Sequence, residues 1–288
     1  LVSCAALPDS GPVARMADEA VVPVGSGETL TVGSFNILKI WGERSIPHWE
    51  ARRDGILEAI LREDPDIVGF QEVQNNRGAP YAPSLQRADL AAGFPGYGWA
   101  GAGSPYRMPT ENPIMFRSAR FRVLSEGWFF LSDTPGELHS VSWGANDPVS
   151  VTWLRLQDRT TGQRLLVLNT HFDHIAIRSK RNGARLIRDF VRDAPPNEAV
   201  VVLGDFNAFP TSRPLRLIQQ AGLQHALSGS RTGSYHGGRG ITLWPRIDHI
   251  LVSDGLSVVQ SGISYFREED GTWPSDHFPV FAGLVYRE

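Results

Sequence analysis

Five strand-like runs of this chain end in Asn, Glu, Asp or His, and its fold has to place those polar ends somewhere. The runs are TLTVGSFNIL (29–38), DIVGFQEV (66–73), RLLVLNTHF (164–172), AVVVLGDFN (199–207) and RIDHILVS (246–253). Their β-branched content and alternation mark them as strands. At their ends stand Asn36, Glu72, Asn169 with His171, Asp205 with Asn207, and Asp248 with His249. A sixth group, Ser275-Asp276-His277, directly precedes the last apolar run. One carboxylate at a strand end has an ordinary explanation: it caps a loop or pairs with one of the 28 Lys and Arg residues. Six such groups, none containing Lys, point to convergence at one sheet edge. Carboxylates packed that closely repel unless they are protonated or a cation holds them. Oxygen ligands without thiolate select a hard ion, Mg2+ or Mn2+, over zinc.

The remaining elements limit how these strands meet. WEARRDGILEAILRED (49–64) places apolar residues at helical spacing and stops at Pro65. Helices are also expected over 179–193 and in SRPLRLIQQAG (212–222). A short one is expected near 85–91, inside the Gly- and Pro-rich stretch 75–111. NPIMFR (112–117), FRVLSEGWFFL (121–131), SVTWLRLQD (150–158), SVVQSGISYF (257–266) and FPVFAGLVY (278–286) add strands. Short connections between about a dozen strands and four helices describe a largely antiparallel α/β protein rather than a βαβ repeat. That many strands divide into two packed sheets.

With 288 residues, 41% of them hydrophobic, the chain can bury a large core. No linker or repeat appears after residue 27, so 28–288 reads as one domain. The net charge of −3 lacks the broad basic field of a non-specific nucleic-acid binder, although local Arg clusters can serve a nuclease. No apolar run approaches the ~20 residues of a membrane span. Cys4 is the only cysteine, so neither an internal disulfide nor a thiolate cluster is available. Leu1-Val2-Ser3-Cys4 resembles a lipobox, which places the protein outside the cytoplasm, secreted or lipid-anchored; a chance tetrapeptide is the alternative. Residues 1–27 read as a flexible tether.

His171-x-Asp173-His174 has the spacing of a two-zinc hydrolase site, but that pattern also needs His at 169, where the chain has Asn169. The stretch therefore divides. Asn169 and His171 share one strand face and look toward the site, while Asp173 and His174 begin a loop, capping a helix or shaping the rim.

In order, SFNIL, GFQEV, LNTHFDH, GDFNAFP, RIDHILVS and SDHFPV resemble the endonuclease/exonuclease/phosphatase superfamily, the DNase I-like fold, over roughly residues 28–286. The stretches around FFLSDTP, SWGANDP and SYHG are most similar to a bacterial secreted branch related to deadenylase- and nocturnin-like phosphatases. The resemblance implies a four-layer sandwich: two packed, mostly antiparallel β-sheets flanked by helices, with the site at one end. It also implies hydrolysis of a phosphomonoester or phosphodiester by in-line water attack, with Mg2+ or Mn2+.

By that resemblance Glu72 is the principal metal ligand. Asn36 touches metal or phosphate, and Asp276 helps hold the metal through water. Asp205 orients or deprotonates the water, and Asn207 donates to a phosphate oxygen. His277 contacts the scissile phosphate, with Asp248 on its other ring nitrogen. His171 stands where the apurinic endonuclease branch has Asn, and it protonates the leaving oxygen or binds phosphate. Asn112, Asn169 and His236 are further phosphate contacts. The chain departs from the family around NPIMFR: Thr110 takes a Glu position and Glu111 is shifted by one. Arg178 and Arg181, at a helix start, either reach phosphate or are solvated. Trp143 and Trp244 are candidates to line the site, whereas His48, His139 and His225 read as ordinary polar histidines. Loops 75–111, 133–148 and 228–245 select the substrate. A small or lipid-linked organic phosphate is expected of a monomer without a stable protein partner. A nuclease of the same fold is the alternative. A non-catalytic binding module is the third, and the intact residue set speaks against it.

Overall fold

The strands and helices follow the apolar runs closely. In chain order they are β1 (Leu30–Asn36), α1 (Trp49–Leu61), β2 (Ile67–Gln71), α2 (Leu85–Gly93), β3 (Tyr97–Ala100), β4 (Ile114–Arg117), β5 (Phe121–Phe130) and β6 (Ser150–Asp158). Then come β7 (Arg164–His171), α3 (Ile177–Arg192), β8 (Glu198–Asp205), α4 (Arg213–Gln219), β9 (Leu223–His225), β10 (Asp248–Ser253), β11 (Leu256–Ile263) and β12 (Val280–Tyr286). These come from a computed structural model that describes residues 29–43, 45–74, 85–101, 111–228, 232–243 and 245–287. The expected tether with Cys4, Thr110, Trp244 and most of the 75–111 loop lie outside the described residues.

Two six-stranded sheets form, ordered β11-β12-β1-β2-β4-β3 and β5-β6-β7-β8-β10-β9. Their inner faces meet over Val32, Ile67, Leu154, Val167, Val201, Leu203, Ile250 and Val280. The outer face of the first sheet is covered by Trp49, Ile56, Ile60 and Leu90 of α1 and α2. That of the second is covered by Ala184, Ile187, Leu215 and Ile218 of α3 and α4. This is the four-layer sandwich that the family resemblance implies.

One expectation is refined. The sheets are mostly antiparallel, yet each has a parallel pair at its centre, β1/β2 joined through α1 and β7/β8 joined through α3. A helical crossover is what parallel neighbours require. Because of it, β1, β2, β7 and β8 all end on the same side of the molecule. β10 runs antiparallel to β8, so it begins there.

Candidate active site

Register aligns the polar strand ends. His171 is paired with Asp205 across β7/β8, and Asp205 with Asp248 across β8/β10. Gly204 makes this possible: its φ is +146°, and a Cβ there would lie 2.0 Å from the Thr170 carbonyl oxygen. Gly69 has a comparable role between the sheets, where a Cβ would meet the side chains of Leu203 and Asn169.

Asn36 bridges the two sheets at the site. Its amide donates to Glu72 Oε1 and Asp205 Oδ2, both at 3.1 Å. Glu72 leaves β2 with φ +62° and accepts the Lys39 N–H on its other oxygen at 3.1 Å. Asp205 Oδ2 lies 3.5 Å from His171 Nε2 and 3.7 Å from His277 Nε2. Its Oδ1 accepts the Asn207 N–H at 2.9 Å. His277 Nδ1 meets Asp248 Oδ2 at 2.8 Å. Glu72 and Asn207 both hold positive φ, +62° and +44°, a conformation that costs a non-glycine residue about 1–3 kcal/mol and that clusters at functional sites.

Burial and charge set the protonation states. Burial opposes charge on His277, but Asp248 outweighs it, helped by Asp205 and Asp276, and the ring is held cationic well above the usual histidine range. With Nδ1 committed to Asp248, the His277 Nε2–H is directed at Asp205 and the opening. Burial and the neighbouring Asp248 push Asp205 up, against the pull of His171 and His277. Burial, with Glu72 adding to it, pushes Asp276 up to about 6. Glu72 is also penalised by burial, yet His171, the Asn36 amide, His277 and Lys39 together hold it below the usual range.

The endonuclease/exonuclease/phosphatase family pattern matches residues 33–277, which include every one of these side chains. The chain belongs to this family. Among solved structures it is similar to a mannosyl-6-phosphatase of Bacteroides thetaiotaomicron, at 26% identity and TM-score 0.77, over 89% of this chain and 100% of that one. A probable CCR4-Not complex 3′-5′-exoribonuclease subunit Ccr4 of Encephalitozoon cuniculi is 27% identical over 65% of this chain and 42% of its own length. An uncharacterised protein of Acanthamoeba polyphaga mimivirus is 26% identical over 57% of this chain and 60% of its own. The chain thus spans about half the length of these two relatives.

Family members act on phosphoesters, generally with divalent metal ions. The donor set here fits such an ion. Glu72, Asp205 and Asp276 present carboxylates whose mutual repulsion burial aggravates, and Asp248 Oδ1 is buried without a hydrogen-bond partner among the described residues. One oxygen each of Asp205 and Asp248 and a ring nitrogen of His277 lie within 4.8 Å of one another. His277, cationic and bonded to Asp248, is not free to ligate, which leaves the carboxylates of Glu72 and Asp276, with Asn36 beside them, as the ligands such an ion would take.

Three expected phosphate contacts are corrected. Asn169 faces the site end but lies too deep: its amide donates to the Phe70 and Pro113 carbonyls, and its Oδ1 accepts from Gln71. Asn112 donates both amide protons to Ser150, to its carbonyl and its hydroxyl, each at 3.1 Å. His236 is buried behind His277, stacked on Phe278 at 4.2 Å, with Nδ1 accepting the Gly240 N–H. Asn207 is at the site, but its amide donates to the Phe172 carbonyl and approaches His171 Nε2 at 3.1 Å. It holds the His171 ring instead of pointing at open space. Asp173 caps the start of the loop into α3, accepting the N–H groups of Ile175, Ala176 and Asn146, so it is no zinc ligand. Arg178 and Arg181 lie on the solvent face of α3, opposite its buried Gly183 and Ile187. Trp143 is tied to Asp133 in its own loop.

Sequence reasoning missed the supports. Arg52, fully buried in α1, donates to the carbonyls of Ile37, Leu38 and Lys39 beyond Asn36, to Pro274 before Asp276, and to Pro47. Burial lowers its pKa to about 10, with Asp276 and Glu72 opposing, so it remains cationic. Its signal was present: Trp49, Arg52, Ile56 and Ala59 form one helical stripe, and Arg is the odd member. Ser234, not His236, is the working part of the SYHG loop. Its hydroxyl accepts the Asp248 N–H and its carbonyl the Phe278 N–H, clamping the Asp248–His277 pair. Lys180 reaches from α3 to the Asn207 carbonyl.

The His236 correction has a pH signature. Burial, with His277 adding to it, depresses His236 to about 4. The unfolded chain takes up a proton near pH 6.5 that the folded ring refuses, so this group's stability is present above 6.5 and is lost as pH falls toward 4. His236→Phe keeps the stacking and removes the titration. Its stability relative to the parent is expected to rise by about 2–3 kcal/mol between pH 7 and 4.5, by urea unfolding. A constant difference would show that the ring is freely protonated.

Proposed function

We propose that the protein is a divalent-metal-dependent phosphoesterase that hydrolyses a small or lipid-linked organic phosphate. One observation carries the reading: Asn36 joins Glu72 to Asp205, while Asp205 faces the cationic His277 that Asp248 holds. An acid ligand, a proton acceptor and a positive donor thus share one opening. The similarity to the mannosyl-6-phosphatase supports a phosphomonoester.

Glu72 would hold the metal, with Asn36 and Asp276 beside it. The ion, when bound, polarises a phosphoryl oxygen and offsets charge developing in the transition state. Asp205 orients the attacking water and takes its proton, a role that suits a carboxylate whose affinity for protons burial has raised. His277 donates Nε2–H to a phosphate oxygen and gains strength as charge grows there. In its protonated form His171 donates to the leaving oxygen.

A panel of phosphomonoesters, phosphodiesters and nucleic acids, each with Mg2+ and with Mn2+, tests the reading. Release of phosphate from a monoester that stops on chelation is the expected result. Activity on nucleic acid alone, declining steeply with salt, would replace it with a nuclease. Glu72→Gln is expected to raise the metal concentration for half activity about tenfold or more, as removing a charged ligand should. An unchanged titration would move the metal elsewhere.

A further inference from the structure

Two loops leave the site and follow the same order. After His171, the chain rises to Ile175 and Ile177, exposed by 64% and 60%, then enters α3 with Arg178, Arg181 and Arg185. After Asn207, it reaches Phe209, exposed by 42%, then enters α4 at Arg213. The four arginines and Ile177 line one shallow surface depression. The side chains of Arg178, Arg181 and Arg213 make no ion pair or hydrogen bond among the described residues. The first turn of α3 has no acidic residue, so its cations oppose the helix dipole as well as one another. Trp41, Ile241 and Leu243, all exposed, stand on the loops that follow β1 and precede β10, at the same end of the sandwich.

We propose that this surface docks on a lipid bilayer rich in anionic headgroups, with the arginines against lipid phosphates and the apolar tips inserted. Exposed apolar tips flanked by cations are the pattern of interfacial binding. Four of the six exposed tips, Ile175, Ile177, Ile241 and Leu243, are aliphatic and offer a base no stacking surface, whereas they and the aromatic Trp41 and Phe209 all insert readily into lipid. The positive charge is also local, in a chain of net charge −3. Since His171 and Asn207 are four and two residues from the tips, docking turns the site opening toward the membrane. The inference deepens the phosphoesterase reading by placing its substrate among membrane-borne phosphate esters, and it is tested without turnover.

The test uses the full 288-residue chain with Cys4 unmodified, in sedimentation with phosphatidylcholine vesicles and with phosphatidylcholine/phosphatidylglycerol vesicles. Binding is expected to the mixed vesicles only, declining as salt rises. A triple variant, R178E/R181E/R213E, is expected to lose about tenfold or more of that binding. I175S/I177S/F209S should lose a similar share. Both should keep the parent's turnover of a water-soluble ester; the melting temperature should be unchanged in I175S/I177S/F209S and unchanged or higher in R178E/R181E/R213E, which relieves the repulsion at the start of α3. Equal binding to both vesicle types, no binding at low salt, or unaffected binding by both variants would overturn the proposal. So would Arg-dependent binding of a short oligonucleotide in place of vesicles. Vesicle binding by a protein inert on every ester would instead overturn the catalytic reading and leave the docking intact.

Discussion

Asp205→Asn is expected to lower turnover by ~10²-fold or more at saturating metal, the scale for removing an acid–base group. The melting temperature without metal should stay level or rise. The carboxylate is buried beside Asp248, which disfavours its charged form, so the neutral isostere relieves that repulsion and keeps an oxygen for the Asn207 N–H, which offsets the loss of the oxygen that accepts from Asn36. Loss of activity at undiminished stability separates a reacting group from a structural one. Turnover within a few-fold of the parent would remove Asp205 from the reaction.

Arg52→Ala carries the largest expected stability cost, about 3–5 kcal/mol by urea unfolding, the range for emptying a buried charged network. Five backbone carbonyls lose a charged donor at once, and three of them follow Asn36 directly. Arg52→Lys should recover only part of the loss, because an ammonium cannot span the Ile37–Lys39 loop and Pro274 as a planar fork does. Both variants should also need more metal, since Asn36 and Asp276 depend on those segments. A change below about 1 kcal/mol in Arg52→Ala would mean that the loops hold their shape unaided.

Much of this site was legible because polar residues interrupt apolar strands. Asn36, Glu72, Asp205, Asp248 and His277 were each visible as a break in an alternating or continuous apolar run, and the structure gathers them. The period of two gives a side chain's face but not its depth. Asn169 and His171 share a face, yet one lies about 6.7 Å deeper along the strand. There it joins Gln71 and Ser34 in a buried polar layer between the sheets, beneath the opening. β3 and β9 escaped notice for other reasons. β3 is four residues long in a Gly-rich stretch, and β9 is three residues that follow α4 without a pattern of their own. The parallel central pairs depend on which distant strands meet, and local periodicity does not report that. Arg52 was hidden by the usual expectation that Arg on a helix is solvated, which holds unless it falls on the apolar stripe.

In the proposed function, Asp205 and His277 carry a metal-assisted phosphoester hydrolysis. Its most direct test is release of inorganic phosphate from a phosphomonoester, followed across a Mg2+ titration from a chelated start, with the parent, Asp205→Asn and His277→Ala in parallel. No release in chelator, saturable recovery in the parent, and rates lower by ~10²-fold or more for both variants at every metal concentration are expected. Full turnover in chelator, or recovery of either variant to the parent's rate, would contradict that assignment.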